Sequence, residues 1–350
     1  MVFSDLFATE LSVPGYERVV RFQCTSAGLD AIIAVHNTTL GVALGGTRAF
    51  PFESFDDALK DVLRLSKGMT YKAALAGTHT GGGKSVIILK PGTQVIEESL
   101  LQAFAEAVNQ FEGRYICAED VGIGLREVNI IKKYTSYVAG LPGKSGDPSI
   151  FTARGVFQSI RAAATTLWGS PSLNGKKIAI QGLGHVGMHL AAFLFWEGVD
   201  LIVADLRREV VDFAQHTYGA SVVSPEELFE KECDILAPCA LGSSINIKNI
   251  PNLLCKAVVG AANNQLENDQ CAQLLKDKNI LYIPDYLSNA GGLINVAIEL
   301  LPNGYDPVFS QKRVNNLFES IKDLLNDSLE HDILPLEAAN KKVSKILGIE

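Results

Sequence analysis

Residues Lys176–Asp205 read KKIAIQGLGHVGMHLAAFLFWEGVDLIVAD, and the fold turns on how this stretch is interpreted. Its uncharged part, Ile178–Trp196, is long enough to suggest a membrane span, but it contains three glycines, a glutamine and two histidines. It divides better into a strand (KKIAIQ), a glycine turn, a helix (VGMHLAAFLFWEG) and a second strand (DLIVAD). Gly182, Gly184 and Gly187, with His185 and Val186 between the last two, then fit Gly-x-Gly-x-x-Gly at a strand-to-helix turn. Each glycine has a physical task there: a tight turn at Gly182, close approach of a pyrophosphate at Gly184, and close helix–strand packing at Gly187. The helix start offers unpaired N–H groups and a partial positive charge to the phosphates. Asp205 ends the second strand about twenty residues on, where a carboxylate accepts ribose hydroxyls and repels a 2′-phosphate. NAD is the cofactor this predicts, although Arg207 and Arg208 follow closely and suit a 2′-phosphate.

Working outward, short apolar runs at CDILAPC, KAVVGAA and ILYIPDY each end in small or polar residues. This pattern predicts a parallel sheet with its functional residues at the carboxyl ends of the strands. Before it, the glycine- and proline-rich GLPGKSGDP, Gly140–Pro148, reads as a connection between domains. The first third alternates strands (DAIIAVHNTTLG, KSVIILKP, RYICAED) with helices (SFDDALKDVLRLSKGM, capped by Ser54 and Asp57, and SLLQAFAEAVNQF). The expected architecture is α/β with two domains: an N-terminal α/β substrate domain over 1–143 and a doubly wound, Rossmann-type domain over 144–330. Helices close the chain.

Two Gly-Lys-Ser triplets invite a P-loop reading. The leading glycine would have to be residue 78 for the first and 138 for the second, but these are Thr78 and Val138. Neither is a P-loop. Lys72 follows a helix, Lys84 precedes a strand, and glycines between them let the chain fold back to bring both into one cleft. Asp120 ends a neighbouring strand. Two lysines and an aspartate suit amino- or keto-acid chemistry: one lysine holds a carboxylate, and a second, buried beside that cation, acts as a base near neutral pH. Spacing alone favours the plainer reading, solvated lysines at element ends and an Asp120 that caps a turn.

The 350-residue chain has a net charge of -8, which gives no support to nucleic-acid binding. The N-terminal segment has Asp5 and Glu10 and no basic-then-apolar signal, so no export is expected and the location reads as cytoplasmic. Six cysteines lie far apart without metal-ligand spacing and read as reduced packing residues. His185 and His189 have no third ligand beside them, so no metal is expected.

LGGTR (Leu44–Arg48), GMTYK (Gly68–Lys72), GGGK (Gly81–Lys84), AEDVG (Ala118–Gly122), GLGHVG, GAANNQL (Gly260–Leu266) and PDYLSNAGGLINVA (Pro284–Ala297) run in order along most of the chain. In this the sequence resembles the Glu/Leu/Phe/Val dehydrogenase family, and most nearly its leucine and other branched-chain or aromatic amino-acid dehydrogenases. The resemblance implies NAD-dependent, reversible deamination of an L-amino acid to its 2-oxo acid and ammonia. It implies that Lys72 binds the substrate carboxylate and that Lys84 is catalytic with Asp120 as acid/base partner. Leu44, Gly45, Gly46 and Val296 would line the substrate site, and Asn263 and Asn264 would lie near the cofactor. It further implies a homo-oligomer built through the first domain, with the C-terminal helix over 331–350 returning to that domain. A binding protein for NAD and an amino acid, without turnover, is the alternative from another class. His79, the third glycine of GGGK and Arg154 depart from the leucine-type pattern. GGGK, APCALG and GAANNQLEN resemble the tryptophan branch, which leaves an aromatic substrate as the second expectation.

Overall fold

The computed structural model describes residues 3–240 and 242–349. The chain forms two compact units, Met1–Asp147 with Val296–Pro307 and Pro148–Asn295 with Val308–Glu350.

The first unit is built on a six-stranded sheet of β1 (Leu6–Glu10), β2 (Arg18–Cys24), β3 (Leu29–Asn37), β4 (Ala43–Phe50), β5 (Gly81–Ile88) and β6 (Tyr115–Ala118), in the order β1-β2-β3-β5-β4-β6. The strands from β1 to β5 pair antiparallel along that order, and β4 pairs parallel with both β5 and β6. Side-chain alternation gives the sheet two buried faces. Ile32 and Ala34 of β3 pack with Ala58 and Val62 of α1 (Phe55–Ala76). Ala31, Ile33 and Val35 pack with Leu101, Phe104 and Val108 of α2 (Glu98–Asn109). A short α3 (Leu125–Lys132) adds Val128 and Ile131 to the second cluster.

Two local expectations are corrected here. The helix does not stop at Met69. It starts at Ser54, whose Oγ accepts from the Asp57 N–H at 3.1 Å, and runs to the left-handed Gly77. The stretch Lys72–Ala76 is rich in alanine, a strong helix former, so Lys72 lies within the helix rather than after it. Nor do Gly81, Gly82 and Gly83 form a loop before a strand. They and Lys84 are the first half of β5.

In the second unit β7 (Lys177–Gln181), β8 (Asp200–Ala204), β9 (Ser221–Val222), β10 (Ile235–Pro238), β11 (Ala257–Val258) and β12 (Leu281–Tyr282) form an all-parallel sheet in the order β12-β11-β10-β7-β8-β9. This is the doubly wound order, with its switch point between β7 and β10. α4 (Ser149–Trp168), α5 (His185–Trp196), α6 (Arg208–Tyr218) and α7 (Gln270–Asp277) belong to it, as do the short α8 (Asp285–Ser288) and most of α9 (Gly291–Ala297). After α10 (Pro307–Asn315), α11 (Leu317–Glu330) packs on α4, and α12 (Pro335–Leu347) packs on α11. The return of 331–350 to the first domain is therefore not what the structure shows. Ala338, Ala339 and Val343 of α12 are buried, and Asn340 accepts from the Tyr286 hydroxyl at 2.9 Å, both residues in the second unit. The segment that rejoins the first unit is Val296–Pro307.

That segment holds a carboxylate cradle. Glu299 Oε1 accepts from the N–H groups of Gly140 (3.1 Å), Leu141 (3.2 Å) and Ser145 (3.0 Å), and from the Ser145 hydroxyl. The second Gly-Lys-Ser thus curls around a carboxylate of its own chain. Among the described residues no helix is long and apolar enough to cross a membrane, no group of side chains is arranged to hold a metal ion, and all six cysteines are free.

Candidate active site

β4 lies between β5 and β6, and the three strands assemble the charged cluster. Lys84 on β5 is opposite Ala34, so it shares the sheet face that α1 covers. Only 5 % of Lys84 is exposed, and its Nζ lies 2.8 Å from Asp120 Oδ2. Asp120 follows β6 in a tight turn, its N–H and C=O bonded to Ile123 at 3.2 and 2.9 Å. The intervening strand carries Gly46, where any Cβ would come within 2.9 Å of Asp120 Cβ. Gly45 is likewise closed off, since its Cβ would stand 2.6 Å from the Gly83 carbonyl carbon. Gly45 and Gly46 are the two glycines expected to line the substrate site. In the structure their missing side chains make room for the protein itself, which brings Asp120 and Lys84 together across β4.

Two further residues complete the cluster and were not singled out from the sequence. Arg48 Nε is 3.2 Å from Asp120 Oδ2, and Arg48 Nη1 is 2.8 Å from Asp61 Oδ2 on α1. The result is an alternating chain Lys84–Asp120–Arg48–Asp61. Burial by itself raises the Asp120 pKa, but the Lys84 and Arg48 charges and the hydrogen bonds from Lys84 and the Val121 N–H outweigh it, leaving the carboxyl below the usual aspartate range. Asp120 is therefore an ionised acceptor within reach of an ammonium, the geometry of an acid/base pair. Beneath it the buried Tyr115 hydroxyl donates to Gly45 O at 2.9 Å and meets Ser85 Oγ at 3.0 Å, tying β6, β4 and β5 together.

Glu119 behaves oppositely. Burial, then the charges of Asp147 and Asp120, push its pKa from 4.5 to about 7. A raised carboxyl pKa favours the folded state fully below the unfolded value, about 4.5, and that contribution is lost as the pH rises through about 7. Glu119→Gln, which mimics the protonated form, is expected to raise Tm at about pH 8 and leave it nearly unchanged at about pH 5. Thermal melts of both proteins across this range check it, and an equal shift at both ends would assign the effect elsewhere.

Lys72 lies on α1, two residues beyond the buried Thr70. Leu44 and Val296 belong to the first unit and are 1 % and 6 % exposed. His79 is exposed and in the left-handed region (φ 57°). Arg154 packs over the Phe157 ring at 4.8 Å and donates to Asn315 Oδ1 at 2.8 Å, a structural role within the second unit.

In the second unit the glycine turn fits a dinucleotide. Gly182 has φ 90°, open to glycine at little cost. A Cβ on Gly187 would stand 3.0 Å from the Gly182 carbonyl carbon, so helix and strand are as close as the fingerprint requires. Gly184, the N-cap of α5, is the contrast: nothing lies within 4 Å of its Cβ position, which leaves backbone N–H groups approachable by phosphate. His185 and Val186 begin that helix. Asp205 Oδ2 accepts from the Leu183 N–H at 2.7 Å and Oδ1 from the Arg207 N–H at 2.9 Å, while the Arg207 guanidinium reaches the two oxygens at 3.1 and 3.2 Å. Burial works to raise its pKa, and the Arg207 side chain and the two N–H groups more than reverse this. Arg208 pairs with Asp212 at 2.9 Å. Both arginines thus already serve carboxylates of the chain. Asn263 Oδ1 accepts from Asn289 Nδ2 at 3.0 Å, and the Asn264 N–H donates to Asp285 Oδ2 at 2.5 Å. Asn289 Oδ1 is buried and has no hydrogen-bond partner among the described residues.

Comparison with known proteins gives matches in both units. Residues 16–137 match the family described as Glu/Leu/Phe/Val dehydrogenase, dimerisation domain, and residues 200–341 match Glutamate/Leucine/Phenylalanine/Valine dehydrogenase. The chain is 45 % identical to a leucine dehydrogenase of Bacillus cereus over 329 residues, 93 % of this chain and 89 % of that one. It is 42 % identical to a valine dehydrogenase of Streptomyces virginiae over 333 residues, 93 % of this chain and 92 % of the other. The crystal structure of L-tryptophan dehydrogenase from Nostoc punctiforme superposes with a TM-score of 0.81 at 41 % identity, covering 95 % of this chain and 96 % of that one. With matches of this extent in both units, the chain belongs to the Glu/Leu/Phe/Val dehydrogenase family, enzymes acting on the CH–NH2 group of amino acids.

Proposed function

We propose that the enzyme oxidatively deaminates an apolar L-amino acid to its 2-oxo acid and ammonia, reversibly and with NAD, and that Lys84 and Asp120 carry the proton chemistry. The observation behind this is the 2.8 Å contact between Nζ of the buried Lys84 and Oδ2 of the partly buried Asp120. Lys72 binds the α-carboxylate. Held at the glycine turn, NAD would supply the acceptor for the α-hydrogen as hydride. Lys84, having passed a proton to Asp120, removes one from a water as its oxygen attacks the iminium carbon. Asp120 returns a proton to the nitrogen and then, as a carboxylate again, takes the hydroxyl proton as the C–N bond breaks, the carbonyl forms and ammonia leaves. Arg48 holds Asp120 in place while Lys84 loses and regains charge. Gly182, Gly184, His185, Val186 and Gly187 form the phosphate turn, Asp205 takes the ribose hydroxyls, and Asn263 and Asn264 stand beside the cofactor.

Leu44 and Val296 set the side-chain preference. Both are apolar and buried, so the distal carboxylate of glutamate would lose its water without a partner, at a cost of several kcal/mol. A methylene is worth only about 1–3 kcal/mol in such a pocket, so apolar substrates overlap. Leucine, valine and isoleucine are the first expectation, and phenylalanine and tryptophan the second; relatives named as leucine, tryptophan and valine dehydrogenases lie at 45 %, 43 % and 42 % identity. Assembly into a homo-oligomer through the first unit is supported by the match of 16–137 to a dimerisation domain.

The test is a panel of L-amino acids with NAD and with NADP, read as kcat/KM from the absorbance of the reduced cofactor. L-leucine is expected to exceed L-glutamate, and NAD to exceed NADP. Glutamate in the lead would overturn the pocket assignment, NADP in the lead would overturn that of Asp205, and no turnover at all would leave only a binding protein.

A further inference from the structure

His36 and Thr70 have none of the roles above. His36 sits where β3 and β5 slip out of register, between the pairs Val35↔Gly83 and Asn37↔Gly82. Such an irregularity bends a strand and re-aims a side chain. Here His36 Nδ1 meets the Oγ1 of Thr70, on α1, at 2.8 Å. Tyr16 packs edge-on against the imidazole, with ring centroids 5.0 Å apart, and its hydroxyl donates to Leu63 O of the same helix at 2.8 Å. Burial and then the charge of Lys67, against a smaller opposing pull from Glu17, lower the His36 pKa to about 4, so the ring is neutral at physiological pH.

Thr70 is fully buried, and a Cβ on Gly82 would stand 2.6 Å from its Cα. The backbone of α1 therefore presses on β5 at this point. Thr70 lies two residues ahead of Lys72, and Gly82 two residues ahead of Lys84. A close approach of helix and strand is thus adjacent to both lysines, and His36 pins the helix side of it from a third element.

We infer that His36 and Thr70 are a positioning pair that sets Lys72 against Lys84, and so fixes how the substrate carboxylate is held relative to the reacting carbon. The inference rests on the proposed role of Lys72. Thr70→Val keeps the side-chain shape but puts a methyl where the imidazole needs a hydroxyl. It is expected to raise KM for both the L-amino acid and the 2-oxo acid roughly tenfold, with kcat within about threefold of the parent. NAD affinity, read by protein fluorescence, should not change. Thr70→Ser should restore KM. His36→Ala attacks the same bond from the strand, so the result does not hang on one variant folding, and the double variant should be no worse than either single one. A lowered Tm with unchanged KM in Thr70→Val and His36→Ala would mean the bond is only structural and would overturn the inference. Lys72→Ala is the reference. If it leaves KM unchanged, the role of Lys72 falls and this inference with it; if it raises KM while Thr70→Val and His36→Ala do not, this inference alone is overturned.

Discussion

Replacing Lys84 by alanine is expected to lower kcat by about 10²–10⁴-fold, the span general acid–base catalysis supplies, with NAD affinity unchanged. The loss falls on chemistry because Lys84 is the ammonium 2.8 Å from Asp120, while the glycine turn and Asp205 belong to the other unit. The variant should fold. Asp120 keeps its contact with Arg48 at 3.2 Å, and Arg48 keeps Asp61, so no carboxylate is left buried alone. Single-turnover measurement of reduced cofactor, with cofactor affinity measured in parallel, separates the two effects. A variant retaining most of its turnover would remove Lys84 from the mechanism.

Gly45→Ala is expected to have the largest effect on folding, and it should do so without touching a titratable group. The new methyl meets backbone, with the Gly83 carbonyl carbon 2.6 Å away, so two paired strands must separate or the change is not accommodated. The cost is expected to exceed about 3 kcal/mol, near the top of what single substitutions do, which lowers Tm by roughly 6–12 °C in a unit of this size or prevents recovery of folded protein. Gly184→Ala is the control, since nothing lies within 4 Å of its Cβ. That variant should melt like the parent and bind NAD more weakly. Equal melting of the two variants would show that the packing of β4 on β5 is looser than described.

The second unit was legible because its signals are local. Gly182, Gly184 and Gly187 each do a job defined within six residues, and Asp205 is placed by one strand–helix–strand period. The first unit was harder to read for physical reasons. The hairpin of β1 and β2 was not anticipated, because β1 is an edge strand with Phe7 67 % exposed and no buried face to impose alternation. Gly81–Gly83 looked like a loop because a glycine run carries no strand propensity of its own. What holds it extended is non-local: Tyr115 fills the space beside Gly83 and Thr70 that beside Gly82. Arg48 escaped notice for the same reason, since its partners Asp61 and Asp120 come from a helix and a strand end 13 and 72 residues away. The C-terminal helix was assigned to the wrong unit because its amphipathic pattern shows that it docks without showing where.

The cradle around Glu299 has a consequence for the order of events during synthesis. Its three N–H groups and the Ser145 hydroxyl emerge with residues 140–145, but the carboxylate is made 154 residues after Ser145. At about 5–20 residues per second, that is a wait of roughly 8–30 s, during which the whole sheet of the second unit leaves the ribosome. The first unit is therefore begun before the second and is still incomplete when every strand of the second unit's sheet has been made. A fragment ending at Asp147 contains every strand of its sheet and still lacks the one acceptor that four donors of its last loop share.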